Sequence, residues 1–131
     1  MQLSTLTIQT IAFLAATSQA WMLTAYDKSG NCNTNSAPAP RTRVLTGAPN
    51  LTRCFTFDQS MPGTGCTEYF PGGQRACGPS GSLLPMSVRT HSGGCKVYRE
   101  VNCQGYATEY PAGNWCVAGW GAAIRSFSCS G

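Results

Sequence analysis

Cys95-Lys96-Val97-Tyr98-Arg99-Glu100-Val101-Asn102-Cys103-Gln104-Gly105 opens the stretch that decides the fold, and Ile124-Arg125-Ser126-Phe127-Ser128-Cys129 closes it. The opening segment alternates. Cys95 and Val97 share one face of an extended strand, while Lys96 and Tyr98 share the other. Asn102 to Gly105 supplies turn chemistry, with Gly105 free to take a positive φ. Pro111-Ala112-Gly113-Asn114 is a second turn signal. Ile124 to Cys129 alternates again. Short alternating strands joined by glycine-rich turns predict an all-β protein, an antiparallel sandwich with Greek-key connections.

The same residues carry a resemblance. Tyr98, then Cys103, Gly105, a tryptophan-rich turn and Ile124-Arg125-Ser126-Phe127 resemble a βγ-crystallin Greek-key motif. The resemblance implies that Tyr98 packs over Gly105, and that the closing strand lies beside the opening one. Cys103 stands where the family usually carries an aromatic residue. The family's calcium signature would fall on Gly121, Ala122, Ala123, Ile124, Arg125 and Ser126. Gly121 and Ala122 offer no side-chain oxygen and Arg125 adds a cation, so no calcium site, and no other cofactor, is expected.

Outward from this stretch, positions 1–20 read as a secretory signal peptide. They hold an apolar run centred on Ile11 to Ala16 and small residues at Ser18 and Ala20. Positions 21–131 then form one domain. Trp21-Met22-Leu23-Thr24-Ala25-Tyr26 alternates as a first strand. Val44-Leu45, Cys54 to Phe57 and Thr67 to Phe70 read as further strands, and Leu84 to Arg89 as one that closes the first half. The domain is thus expected as two halves, about 21–90 and 94–131.

Eight cysteines, Cys32, Cys54, Cys66, Cys77, Cys95, Cys103, Cys116 and Cys129, all follow the leader. An even number in a short exported chain predicts four disulfides. Metal binding is the competing use, but the chain has no Cys-x-x-Cys pair, and its one histidine, His91, is expected in a Ser-Gly-Gly loop. The resemblance, taken half by half, implies Cys95–Cys129, Cys103–Cys116, Cys32–Cys54 and Cys66–Cys77. Asn50-Leu51-Thr52 is a glycosylation sequon, which makes Asn50 a candidate glycan carrier.

Charged residues are 11% of the chain and the net charge is +4. That mild basic bias suits ordinary surface charge or contact with anionic surfaces, and lacks the Lys/Arg stripe of a nucleic-acid binder. Glu100 and Glu109 are nine apart and could face one another as a glycosidase-like pair, or simply be surface charge. No nucleophile elbow accompanies His91. Trp115 and Trp120 suit either a carbohydrate platform or the core edge. No catalytic residues are expected.

The resemblance implies a function as well. Small secreted members of this fold include killer toxins, antifungal proteins and metalloproteinase inhibitors. The expectation is therefore a secreted, monomeric, extracellular binding protein. It would be toxin-like, antimicrobial or effector-like, and would meet cell-wall polysaccharide or an anionic membrane surface. A protease inhibitor presenting Asn33 to Arg43 or Met61 to Gly65 is the alternative, and an extracellular structural protein the third.

Overall fold

The computed structural model describes residues 20–28, 30–33, 41–77, 83–117 and 121–131. They build ten strands: β1 (Trp21–Tyr26), β2 (Thr42–Gly47), β3 (Phe55–Thr56), β4 (Gly65–Phe70), β5 (Gly73–Ala76), β6 (Ser87–Ser92), β7 (Gly94–Tyr98), β8 (Ala107–Tyr110), β9 (Trp115–Val117) and β10 (Ser126–Ser130). A single 3-10 turn, Val101–Cys103, is the one helical element among the described residues. All strand pairs are antiparallel. A six-stranded sheet runs β5-β4-β2-β1-β6-β9, and a four-stranded sheet runs β3-β10-β7-β8. The molecule is a disulfide-rich, all-β sandwich.

The alternation along the strands explains the core. Trp21, Leu23 and Ala25 on β1 point inward with Leu45, Val88 and Val117 from the larger sheet. They meet Phe55, Cys95, Val97, Phe127 and Cys129 from the smaller sheet, together with Phe57, Leu83 and Ile124 from connecting segments. Four aromatic rings form the centre. Trp21 lies 5.7 Å from Phe127 edge-on and 5.9 Å from Phe55, and Phe57 lies 5.0 Å from Phe127. Such pairs add to the value of area burial alone. The Trp21 indole N–H donates to the Leu51 carbonyl at 3.0 Å, so the buried ring leaves no orphan donor. Gly47 sits opposite Trp21 in the register. A β-carbon there would fall 2.5 Å from Trp21 Nε1 and closer still to Cε2 and Cζ2, which is why this rung needs a glycine.

Each sheet borrows one short strand from the other end of the chain. β3 comes before β6 in sequence yet pairs with β10, and β9 comes before β10 yet pairs with β6. The exchange corrects two expected disulfides. Cys32 bonds Cys116, not Cys54, and Cys103 bonds Cys54, not Cys116. The physical reason is the route of β9 and β3. β9 carries Cys116 onto the larger sheet, opposite Arg89, and the segment entering β3 brings Cys54 to the 3-10 turn that holds Cys103. The other two bridges are as expected: Cys66–Cys77 ties β4 to the end of β5, and Cys95–Cys129 joins directly opposed residues of β7 and β10. No described cysteine is free.

Two further expectations shift. The strand expected over Leu84 to Arg89 is Ser87–Ser92, because Pro85 has no N–H to give to a ladder, and its carbonyl accepts from Ile124 N at 2.8 Å instead. His91, expected in a loop, therefore lies on β6. Residues 1–19, and with them most of the expected signal peptide, lie outside the described residues. No described helix is long and apolar enough to cross a membrane. Four disulfides in a chain this size are typical of extracellular proteins.

Candidate functional site

One rung of the larger sheet reads, across the strands, Val117, Val88, Ala25, Arg43, Glu68, Arg75. All point to the same face. The rung is apolar under β9, β6 and β1, and charged on β2, β4 and β5. The two sheets differ in width, and β4 and β5 place only Cys66 against the hydrophobic core. The inner face that this overhang leaves is where Arg43 and Glu68 meet. Arg43 is 7% exposed and Glu68 1% exposed.

Burying a lone carboxylate is costly, and removing one partner of such a pair strands the other charge. Glu68 is met from both sides. Arg43 Nε donates to Oε1 at 2.9 Å, and Arg75 Nη2 lies 2.6 Å from Oε2. Burial raises the pKa of Glu68, but the hydrogen bonds and charges of Arg75 and Arg43 outweigh it and hold the carboxyl below its ordinary value. Arg41 reaches Glu68 at 4.0 Å and is itself held by buried Asp27, which accepts from the Arg41 backbone N at 2.7 Å and from Nε at 3.1 Å. Arg75 also lies over the Phe70 ring, 4.9 Å from its centroid.

Beside Arg43 the overhang opens into a cleft of about 260 Å³. Its floor is Arg43, Leu45 and the Cys66–Cys77 bridge, and its wall is the segment Gln59 to Thr64. That wall is braced. Thr64 donates through both its N–H (3.3 Å) and its hydroxyl (2.6 Å) to the Met61 carbonyl, and Arg53 donates to the Pro62 carbonyl. Met61 packs partly against the core.

At the opposite edge of the larger sheet, β9 presents Trp115, 44% exposed, with its ring 6.1 Å from Tyr110 of β8. Tyr106, at 64%, is exposed in the turn before β8. Trp115 is thus a rim residue; Trp120, its expected companion, lies outside the described residues.

Tyr98 and Gly105 flank the β7–β8 turn. Gly105 has φ +78°, the left-handed region that the turn reading anticipated. The group nearest to where its β-carbon would stand is the Glu100 side chain, whose Cγ is 2.9 Å away. Tyr98 is half-buried beneath Lys96, whose Nζ is 5.5 Å from the ring centroid. The Glu100–Glu109 pairing fails in this geometry: Glu100 sits in the turn, and Glu109 stands across from Lys96 on β8. Ser126, fully buried, locks the turn by donating to the Glu100 carbonyl at 2.5 Å and accepting from Cys103 N at 2.9 Å.

His91 Nε2 lies 2.7 Å from Thr24 Oγ1, a hydroxyl–imidazole contact on the outer face. Burial and then the Arg89 charge hold the imidazole below its ordinary pKa, which favours the neutral ring. Asp27, Asp58 and Glu68 each face an arginine. Arg125, within the span of the crystallin-type calcium signature, lies 3.4 Å from Asp58. No group of three or more His, Cys, Asp or Glu gathers among the described residues. Asn50 is exposed in a turn.

The Arg43–Glu68 cluster was not anticipated from sequence, although a signal was present. Arg43 is in phase with Leu45, and Glu68 with Cys66, so each charge occupies an inward position of its strand. No protein-family model, curated protein or solved structure matches the chain.

Proposed function

We propose that the chain is exported and works outside the cell as a monomeric, non-catalytic binding protein. On this reading it is a βγ-crystallin-like, toxin-like or effector-like domain that attaches to cell-wall polysaccharide of another cell. The observation that carries the reading is Trp115: a large ring left 44% exposed on a sheet edge and backed by Tyr110, in a domain whose other described tryptophan is fully buried. Exposed, braced aromatic rings are surfaces for flat apolar partners such as sugar-ring faces. The two bridges that cross between the halves support service in an oxidising setting, where rigidity must come from few residues. For the inhibitor alternative, Met61 of the Met61 to Gly65 loop packs partly against the core, and residues 34–40 of the Asn33 to Arg43 loop lie outside the described residues.

Retention on chitin and β-glucan, measured beside binding to anionic vesicles and inhibition of a protease panel, tests the proposal. Retention on a polysaccharide that falls in Trp115→Ala, with an unchanged melting temperature, is the expected result. Vesicle binding or protease inhibition without polysaccharide retention would overturn it.

A further inference from the structure

The cleft under the β4–β5 overhang lies at the far edge of the larger sheet from Trp115 and has no part in the surface just proposed. We propose that it is a second binding site, one that takes a single carboxylated sugar ring, with Arg43 gripping the carboxylate.

Arg41, Arg43 and Arg75 face Asp27 and Glu68, so three guanidinium groups meet two carboxylates and one positive charge remains. The donors are unevenly used. Arg43 gives its Nε to Glu68, and no other hydrogen bond of its side chain is formed among the described residues. Neither terminal nitrogen is a buried orphan: the one buried, unpartnered side-chain nitrogen or oxygen among the described residues is Arg125 Nε. Arg43 lines the cleft, and on this proposal its terminal nitrogens are the donors turned toward that space. A guanidinium held by its Nε still presents a planar pair of donors, which match a carboxylate. Glu68 fixes that plane from below.

The rest of the cleft narrows the ligand. At about 260 Å³ it is at the small end for an organic ligand, with room for one ring. Leu45, Met61 and the Cys66–Cys77 sulfurs give an apolar side against which a ring face can lie, while Gln59, Ser60 and Thr64 line it with polar groups. A bare inorganic anion would leave that apolar side wet. A dianion would also meet the Glu68 carboxylate close behind Arg43, whereas a monoanion matches the single surplus charge. Carboxylated sugar is the chemistry that uses all three features.

Nitrogen-15 and methyl spectra of the whole protein, titrated with glucuronate, glucose, acetate and inorganic phosphate, decide the matter. Glucuronate is expected to give saturable shifts at Arg43 Nε and the Met61 methyl, with a Kd of about 1 mM, and glucose and acetate to bind at least about tenfold more weakly. Arg43→Lys keeps the charge but loses the fork, and is expected to weaken glucuronate binding by about tenfold or more. Should that variant fail to fold, the wild-type shift map still decides. An acidic oligosaccharide run in parallel identifies the source: tighter binding than the monosaccharide assigns a polymer end, and equal binding assigns the free sugar. Phosphate binding as tight as glucuronate, shifts centred away from Arg43, or no saturable shift at all would overturn the assignment.

Discussion

Replacing Glu68 with glutamine keeps the shape of the buried side chain and removes its charge. Arg43 is then left in the overhang, almost fully buried, with no carboxylate beneath it. Breaking a buried pair by neutralising one partner typically costs about 3–5 kcal/mol. The glutamine carbonyl still accepts one hydrogen bond, which favours the lower end. Arg75 adds little to this figure, because its side chain is 59% exposed and solvent screens it. In a domain of this size 1 kcal/mol moves the melting temperature by about 4 °C. The Glu68→Gln variant should therefore melt about 12 °C below the wild type at neutral pH.

The sign of the pH dependence gives an independent check. The folded pKa of Glu68 is held below its ordinary value of 4.5. A carboxyl depressed in this way contributes stability that is present above its unfolded pKa and is lost as the pH falls through its folded pKa. In acid the wild type carries a neutral carboxyl and converges on the variant, so the gap between the two melts should shrink as the pH falls below the ordinary carboxylate range. The double variant Arg43→Met/Glu68→Met should recover to within about 1 kcal/mol of the wild type, since apolar side chains can replace a buried pair without penalty. Differential scanning calorimetry on the three proteins across pH reads all of this. A neutral-pH gap under about 4 °C, or a gap undiminished in acid, would refute the view that Glu68 is there to hold Arg43.

The disulfides differ in what they constrain. In the chain-entropy picture Cys32–Cys116, spanning 84 residues, contributes about 4.5 kcal/mol and Cys66–Cys77, spanning 11, about 3 kcal/mol. Paired alanine variants unfolded in guanidinium should show that order, and non-reducing peptide maps should yield 32–116 and 54–103; a 103–116 peptide would refute the strand exchange. Gly47→Ala sets a methyl group into the Trp21 indole and should cost about 1–3 kcal/mol, read from the midpoint of chemical unfolding. A midpoint equal to the wild type's would mean that Trp21 can move aside.

What the sequence made legible was whatever depends on the alternation of a single strand. Trp21 to Tyr26 and Cys95 to Tyr98 reveal their buried faces unaided, because each is long enough to show a period of two and is bounded by turn residues. Cys95–Cys129 followed from the adjacency of an opening and a closing strand, and Cys66–Cys77 from the analogy between the two halves. β3 and β9 have two and three residues, too few for any period, and nothing local says which sheet they join. The two misassigned bridges both hang on them.

The unforeseen charge cluster has a related origin. Taken alone, Thr42-Arg43-Val44-Leu45 and Cys66-Thr67-Glu68-Tyr69 each show a charge at an inward position, which reads as a fault in the pattern. The fault disappears when β2 and β4 are placed side by side, for the register sets Arg43 directly against Glu68. It is stable there because each charge meets its opposite, and because the smaller sheet has only four strands and, among the described residues, β4 and β5 place only Cys66 against the apolar core. A complete cover would have asked for Val or Leu at both positions, as it does at Val88 and Val117 on the same rung. Sheet width, a property of the assembled fold, is therefore what turns two misplaced charges into a site. It leaves one inward arginine, held through its Nε by Glu68, beside a cleft floored by Leu45 and the Cys66–Cys77 bridge.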